Sequence, residues 1–393
     1  MKQYLLLFGF LLFLAINANA QMLKQTDTLI NHSIRIIPVD RAKLLKNVNL
    51  IANMQYANNS NFQDGKYTDS HFALNQFRLE IKGLVFDSTV FFRFRNRYTR
   101  TPTVQSVDNI DHSVDMAFIG VNISPKFSLS FGKMCADYGG YEFDANPINI
   151  YQYNDIVEEA DNFLTGTQFT WNATKNQQFA FQVLNARTQS FSELYDSVPG
   201  IKAAKFPSAF VGNWRGSFGK GLFSTFWSYS FINEASKKHV QYIALGNQLN
   251  LKKLLIQYDF KYMMDGIDRL GIVTGLIPKS YSPYVALKTD YIEHWLRIQY
   301  DFAPKWNVTV IGMVDNAYWK GNQDPNKNNQ IRTSWGLIPS LEFYPYKKLD
   351  LKFFAAYVGR YYNYTDYSKA RFGLANSTTG ELMVGFSSPL VFL

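Results

Sequence analysis

The stretch FALNQFRLEIKGLVFDSTVFFRFRNRY, residues 72–98, decides the architecture. Read with a period of two, Phe77, Leu79 and Ile81 fall on one face and Arg78, Glu80 and Lys82 on the other, the pattern of a strand with one greasy and one wet side. After a tight connection at Phe86, Asp87 and Ser88 the pattern repeats. Phe92, Phe94 and Tyr98 share one face with Asn96, and Arg93, Arg95 and Arg97 share the opposite one. Paired, the two strands carry five cations, Arg78, Lys82, Arg93, Arg95 and Arg97, on a single surface. That surface must meet water or anions, and the aromatic surface behind it must be covered by something apolar.

The flanking sequence suggests what covers it. Lys2, the apolar run Tyr4 to Ile16 and the triplet Ala18-Asn19-Ala20 read as a secretory signal over residues 1–20, with Gln21 as the first mature residue. The run is shorter than the roughly 17 to 25 apolar residues of a spanning helix, and no later segment is long and apolar enough to serve as one. Aromatic residues make up 17% of the chain, with 33 Phe and 25 Tyr, yet the mean hydropathy is −0.19. Strands that are half greasy and half wet give that combination, as in a transmembrane β-barrel. The single cysteine, Cys135, excludes an intramolecular disulfide, so stability must come from the sheet. The net charge of +9 is spread along the chain rather than gathered in a basic arm, which argues against a nucleic-acid partner.

Residues 21–45 carry no strand pattern and read as a periplasmic lead-in. From 46 to 393, alternating runs and turn signals follow one another without a change of composition. Long polar connections are expected at 57–71, 99–112, 134–162, 187–206, 233–239, 263–281, 316–331 and 360–379. Tight ones are expected at 85–88, 124–126, 174–177, 218–221, 250–253, 303–305 and 345–348. Eight long and seven short connections require sixteen strands. The fold class is therefore all-β, a transmembrane antiparallel β-barrel with long external loops and short periplasmic turns, embedded in outer-membrane lipid. Parity also makes 281–302 one long strand rather than two. Pro389, in a last strand that must pair on both sides, predicts a bulge.

A closed sixteen-stranded barrel leaves a water-filled channel unless plugged, and a lead-in of about 25 residues is too short for a plug domain. The connection 134–162 holds seven acids, Asp137, Glu142, Asp144, Asp155, Glu158, Glu159 and Asp161, and no Lys or Arg. Folded into the lumen opposite the basic wall, it would form a constriction, with Asp137, Glu142, Asp144 and Asp155 as its acidic side and a field across the passage. Small hydrophilic solutes, anions above all, are the expected cargo. The five histidines are scattered, no metal-ligand spacing occurs, and Gly216 to Gly221 (GSFGKG) reads as a hairpin turn. Neither a cofactor, a metal nor a catalytic site is expected. A non-conducting structural or adhesive barrel is the alternative, with an outer-membrane hydrolase behind it.

Phe77 to Arg97, the run FIGVNISPKFSLSFGK over Phe118 to Lys133, and GGYEFDANPINI over Gly139 to Ile150 resemble the phosphate-selective porin O and P family of Gram-negative outer membranes. The resemblance implies a sixteen-stranded porin, a homotrimer, and an arginine-lined passage for anions, to which Arg78, Arg93, Arg95 and Arg97 correspond. The chain departs from that pattern in its constriction loop, which is wholly acidic where phosphate-selective members also carry lysines.

Overall fold

The computed structural model describes residues 47–346 and 349–392. The expected signal and lead-in lie outside the described residues. Sixteen strands follow in order: β1 (Val48–Gln63), β2 (Lys66–Val85), β3 (Val90–Arg97), β4 (Val114–Asn122), β5 (Phe127–Cys135), β6 (Phe163–Thr174), β7 (Gln177–Asn185) and β8 (Ala203–Phe218). They continue with β9 (Phe223–Ala235), β10 (Lys238–Leu251), β11 (Leu254–Ile267), β12 (Leu287–Ala303), β13 (Trp306–Trp319), β14 (Gln330–Tyr346), β15 (Leu351–Tyr364) and β16 (Ser377–Val391). Each pairs antiparallel with its neighbours in sequence, and β1 pairs with β16, closing the barrel. Closure leaves no strand edge without a partner around the ring, the condition for a sheet to stand in hydrocarbon.

The alternation read from sequence sets the two faces. On β14, Trp335, Leu337 and Leu341 are exposed outward, while Ser334, Ser340 and Glu342 are buried inside. On β2 and β3, Arg78 stands opposite Arg97, Glu80 opposite Arg95 and Lys82 opposite Arg93, so the five cations share one inward surface. The expected single strand through Thr289 and Asp290 is β12, unbroken. Aromatic rings ring the outside near the strand ends. Trp171, Phe179, Trp214 and Trp227 form a chain of ring contacts at 5.3–6.5 Å beside the short turns.

Three expectations are corrected. Residues 57–71 are not a loop. β1 and β2 run on as a hairpin closed by Asp64 and Gly65, both at positive φ, the two-residue turn that an Asp-Gly pair favours. The polar residues Asn58 to Ser70 belong to strands that project beyond the apolar band, where both faces are wet, so polarity there does not mark a loop. For the same reason 233–239 shrinks to Ser236 and Lys237 between β9 and β10. The third correction is at Pro389, where the β1–β16 register runs from Ile51↔Val391 to Gln63↔Thr379 without a shift, so there is no bulge.

The barrel interior is not uniformly wet. On β9 to β15, Ile232, Tyr242, Met263, Tyr291, Trp295, Ile311, Met313 and Phe354 are buried inside. They meet apolar residues of the connections, among them Tyr138, Ile156, Leu270 and Val273, in dry clusters. A second layer of chain thus packs on that half of the wall and supplies the core that an empty barrel would lack.

Candidate functional site

The basic ladder is built by two strands and held by two carboxylates. Glu80 accepts from Arg93 at 3.0 Å and lies 3.8 Å from Lys82. Asp115 on β4 lies 2.9 Å from Arg97, 3.1 Å from Arg95 and 3.7 Å from Arg78. Nothing in the alternation of β4 announces Asp115 as a partner. Ile119 faces outward, 51% exposed, so an unbroken strand would send Asp115 into the hydrocarbon. The register slips between Arg95, opposite Met116, and Asn96, opposite Val114. Asp115 is the extra residue of a β-bulge, which turns its carboxylate inward among three guanidinium groups. Arg78 is buried, and its Nε and Nη1 have no hydrogen-bond partner among the described residues.

This ladder lines a cavity of about 1720 Å³ together with residues of β1–β8, β15, β16 and the connections between them. Arg100, Arg187, Arg215 and Arg269 also reach it, and sequence reading did not single them out. Arg100, Arg187 and Arg269 sit in connections, where no period assigns a direction. Arg215 is on β8 and was open to the alternation argument.

The connection from Ala136 to Asn162 touches inward-facing side chains of many strands. Gln55 on β1 donates to the carbonyl of Ile148 at 2.9 Å, and Asp259 on β11 accepts from the backbone N–H groups of Tyr141 and Glu142 at 2.9 and 2.8 Å. Glu293 on β12 accepts from the N–H of Ile156 at 2.6 Å, and Tyr151 donates to Glu342 on β14 at 3.0 Å. Gly139 and Gly140, at φ +88° and +91°, pass so close to Ser228 and Asp259 that a Cβ on either would clash.

The acids expected to oppose the ladder are bound elsewhere. Asp137 and Asp144 share Arg215, at 2.9 and 3.0 Å, and still border the cavity. Glu142 pairs with Lys261 of β11, and Asp155 with Arg332 of β14 and Arg360 of β15, the last at 2.9 Å. Glu142 and Asp155 therefore lie off the cavity. The cause is the inward cations of β11, β14 and β15: covered by the connection, they require a carboxylate each. Glu158 and Glu159 face the cavity instead. Both are open to water, yet the surrounding protein raises their pKa above the ordinary value, mostly by desolvation, with neighbouring carboxylates adding to it.

With the geometry in place, the comparisons can be stated. The family model described as phosphate-selective porin O and P matches residues 48–384. The chain belongs to that family. Among solved structures, this porin is similar to the outer membrane channel DcaP of Acinetobacter baumannii, with TM-score 0.59 and 12% identity over 86% of this chain and 96% of that one. It is similar to an anion-selective porin from Comamonas acidovorans, with TM-score 0.56 and 10% identity over 87% and 99%. It also resembles OmpT of Vibrio cholerae, with TM-score 0.52 and 10% identity over 86% and 97%. At such identities these likenesses speak to the fold alone. A search of curated proteins finds no match. The porin is an outer-membrane protein whose barrel forms a channel.

Proposed function

We propose that this porin is a passive diffusion channel for small hydrophilic anions, phosphate among them, which pass between the basic ladder and the 136–162 connection. The observation that carries the reading is the imbalance at the ladder, where five cations share Glu80 and Asp115 while Glu142 and Asp155 are committed to cations off the cavity. A row of cations in excess of its carboxylates along one wall of an aqueous passage lowers the free energy of an anion there and raises that of a cation. Lys82, Arg93 and Arg97 keep part of their side chains open to the cavity and are the donors that a permeating oxyanion could use.

The test is the reversal potential of the refolded porin in a planar bilayer under a KCl gradient. The wild type is expected to give the anion-selective sign, and Arg93→Gln with Arg97→Gln is expected to move it several-fold toward cation permeability. An unmoved reversal potential would separate the ladder from selectivity, and an electrically silent protein would remove the channel reading.

A homotrimer is part of the same proposal. One solved relative, OmpT of Vibrio cholerae, was obtained in a trimer form. In this chain β3, β4 and β5 have only 8, 9 and 9 residues, against 14 to 20 for β10–β16 and β1–β2. At about 3.3 Å per residue and a tilt near 40°, nine residues rise about 23 Å, less than the roughly 25 Å apolar band. A wall at the lower limit of the roughly 9 to 11 residues that a tilted spanning strand needs is well served by protein rather than lipid as its neighbour.

A further inference from the structure

The cavity has a second lining that conduction of inorganic ions leaves unexplained. Beside the ladder, Phe118 on β4 stands in register with Arg93, and Met116 with Arg95. Phe91 lies edge-on to Phe118, with ring centroids 6.4 Å apart, and covers Gly120 so closely that any Cβ there would strike its ring. Met134 continues the strip on β5, and the Phe163 ring sits 5.2 and 5.6 Å from the guanidinium carbons of Arg95 and Arg97. Phe143 from the 136–162 connection borders the same cavity. An apolar strip thus runs alongside the cations, at neighbouring positions of paired strands, where Cβ atoms stand about 5 Å apart.

For chloride or phosphate this strip is a handicap, since it offers no donor and replaces hydration along one side of the route. An anion with a flat apolar body gains from both surfaces, its charge on the arginines and its body against the rings and thioethers. Resting on the anion-channel reading above, we propose that the cargo is a small organic carboxylate with an aromatic body, carried with its carboxylate on Arg93, Arg95 and Arg97 and its ring on Phe91, Phe118 and Met116.

Benzoate and acetate carry the same charge and headgroup and differ in the apolar body, so their comparison isolates the strip. In planar bilayers, transient interruption of the KCl current is measured as each salt is added to the wild-type porin. Half-block is expected at a benzoate concentration about tenfold or more below that for acetate. The ratio within each variant is expected to fall to about threefold or less in Phe118→Ser and, independently, in Phe143→Ser, whose ring borders the same cavity from the 136–162 connection. Because each variant is compared with itself, a general change of width cancels. Equal half-block concentrations in the wild type, or a ratio that neither variant moves, would overturn the proposal. Failure of the underlying anion reading would appear separately, as a cation-selective reversal potential of the wild type in KCl alone.

Discussion

On β2 and β3 the inward residues Arg78, Arg93, Arg95 and Arg97 border a cavity, whereas on β11, β14 and β15 the inward Lys261, Arg332 and Arg360 lie beneath the 136–162 connection, each against a carboxylate. The same alternation produced both sets. What separates them is coverage. Under the connection, cations and carboxylates are buried together with Trp295, Tyr242 and Met263, and act as fasteners. Opposite it, the cations outnumber their carboxylates, and Lys82, Arg93 and Arg97 remain in contact with water. Charge on an inward face therefore has no fixed meaning in this barrel until the chain that packs on it is known.

The largest effect expected from this contrast is on stability. Lys261 is fully buried between Glu142 and Glu293, so Lys261→Met leaves two carboxylates without a cation. Breaking one partner of a buried ion pair costs about 3–5 kcal/mol. Arg93→Gln removes one cation from the half-exposed ladder, where Glu80 keeps Lys82 at 3.8 Å, and should cost under about 1 kcal/mol. Urea unfolding of the two variants in detergent reads the difference directly. Equal losses would mean that the connection does not fasten one half of the barrel more than the other.

A middle-sized effect concerns pH. Glu158 and Glu159 have pKa values raised chiefly by desolvation, so they take up protons above the usual glutamate value as pH falls. Protonation removes negative charge from the side of the passage facing the ladder. The anion-to-cation permeability ratio should therefore rise on acidification from pH 7 toward the ordinary glutamate range at about pH 4, by a factor of a few. Glu158→Gln with Glu159→Gln should give the high ratio at pH 7 and flatten the response. A ratio that stays level between these pH values in the wild type would take the two glutamates out of the permeation path.

How much of this was open to sequence reading follows from where a fixed period holds. Within the strands it held. Arg78, Lys82, Arg93, Arg95 and Arg97 were assigned to one surface from their spacing, and parity gave sixteen strands. It failed wherever the period breaks or both faces are wet. The bulge at Asp115 inverts one residue's direction, and the sequence signals it only by a carboxylate at a position that the alternation assigns to the lipid face. The projecting hairpin of β1 and β2 is polar on both sides, which hid the Asp64-Gly65 turn inside a supposed loop. The partners of Glu142 and Asp155 depend on contacts across the barrel interior more than a hundred residues away in sequence. Such pairings require the closed ring to be known first.

The smallest effect tests the ring at its seam. Phe392 donates its N–H to the carbonyl of Leu50 at 2.8 Å, so residues 392, 390 and 388 bond toward β1, and residue 389 turns its nitrogen toward the β15 side. There the β15–β16 ladder has already ended, its last pair being Lys352↔Ser387. The missing N–H of Pro389 thus removes no ladder bond, which is why the register passes it without a bulge. Pro389→Ala should shift the urea midpoint by no more than about 0.5 kcal/mol equivalent. A proline at Leu382, where β16 is paired on both sides, should cost about 3 kcal/mol or more. If Pro389→Ala proved strongly stabilising, the seam would contain a bond that proline blocks, and the register at the closure of the barrel would have to be redrawn.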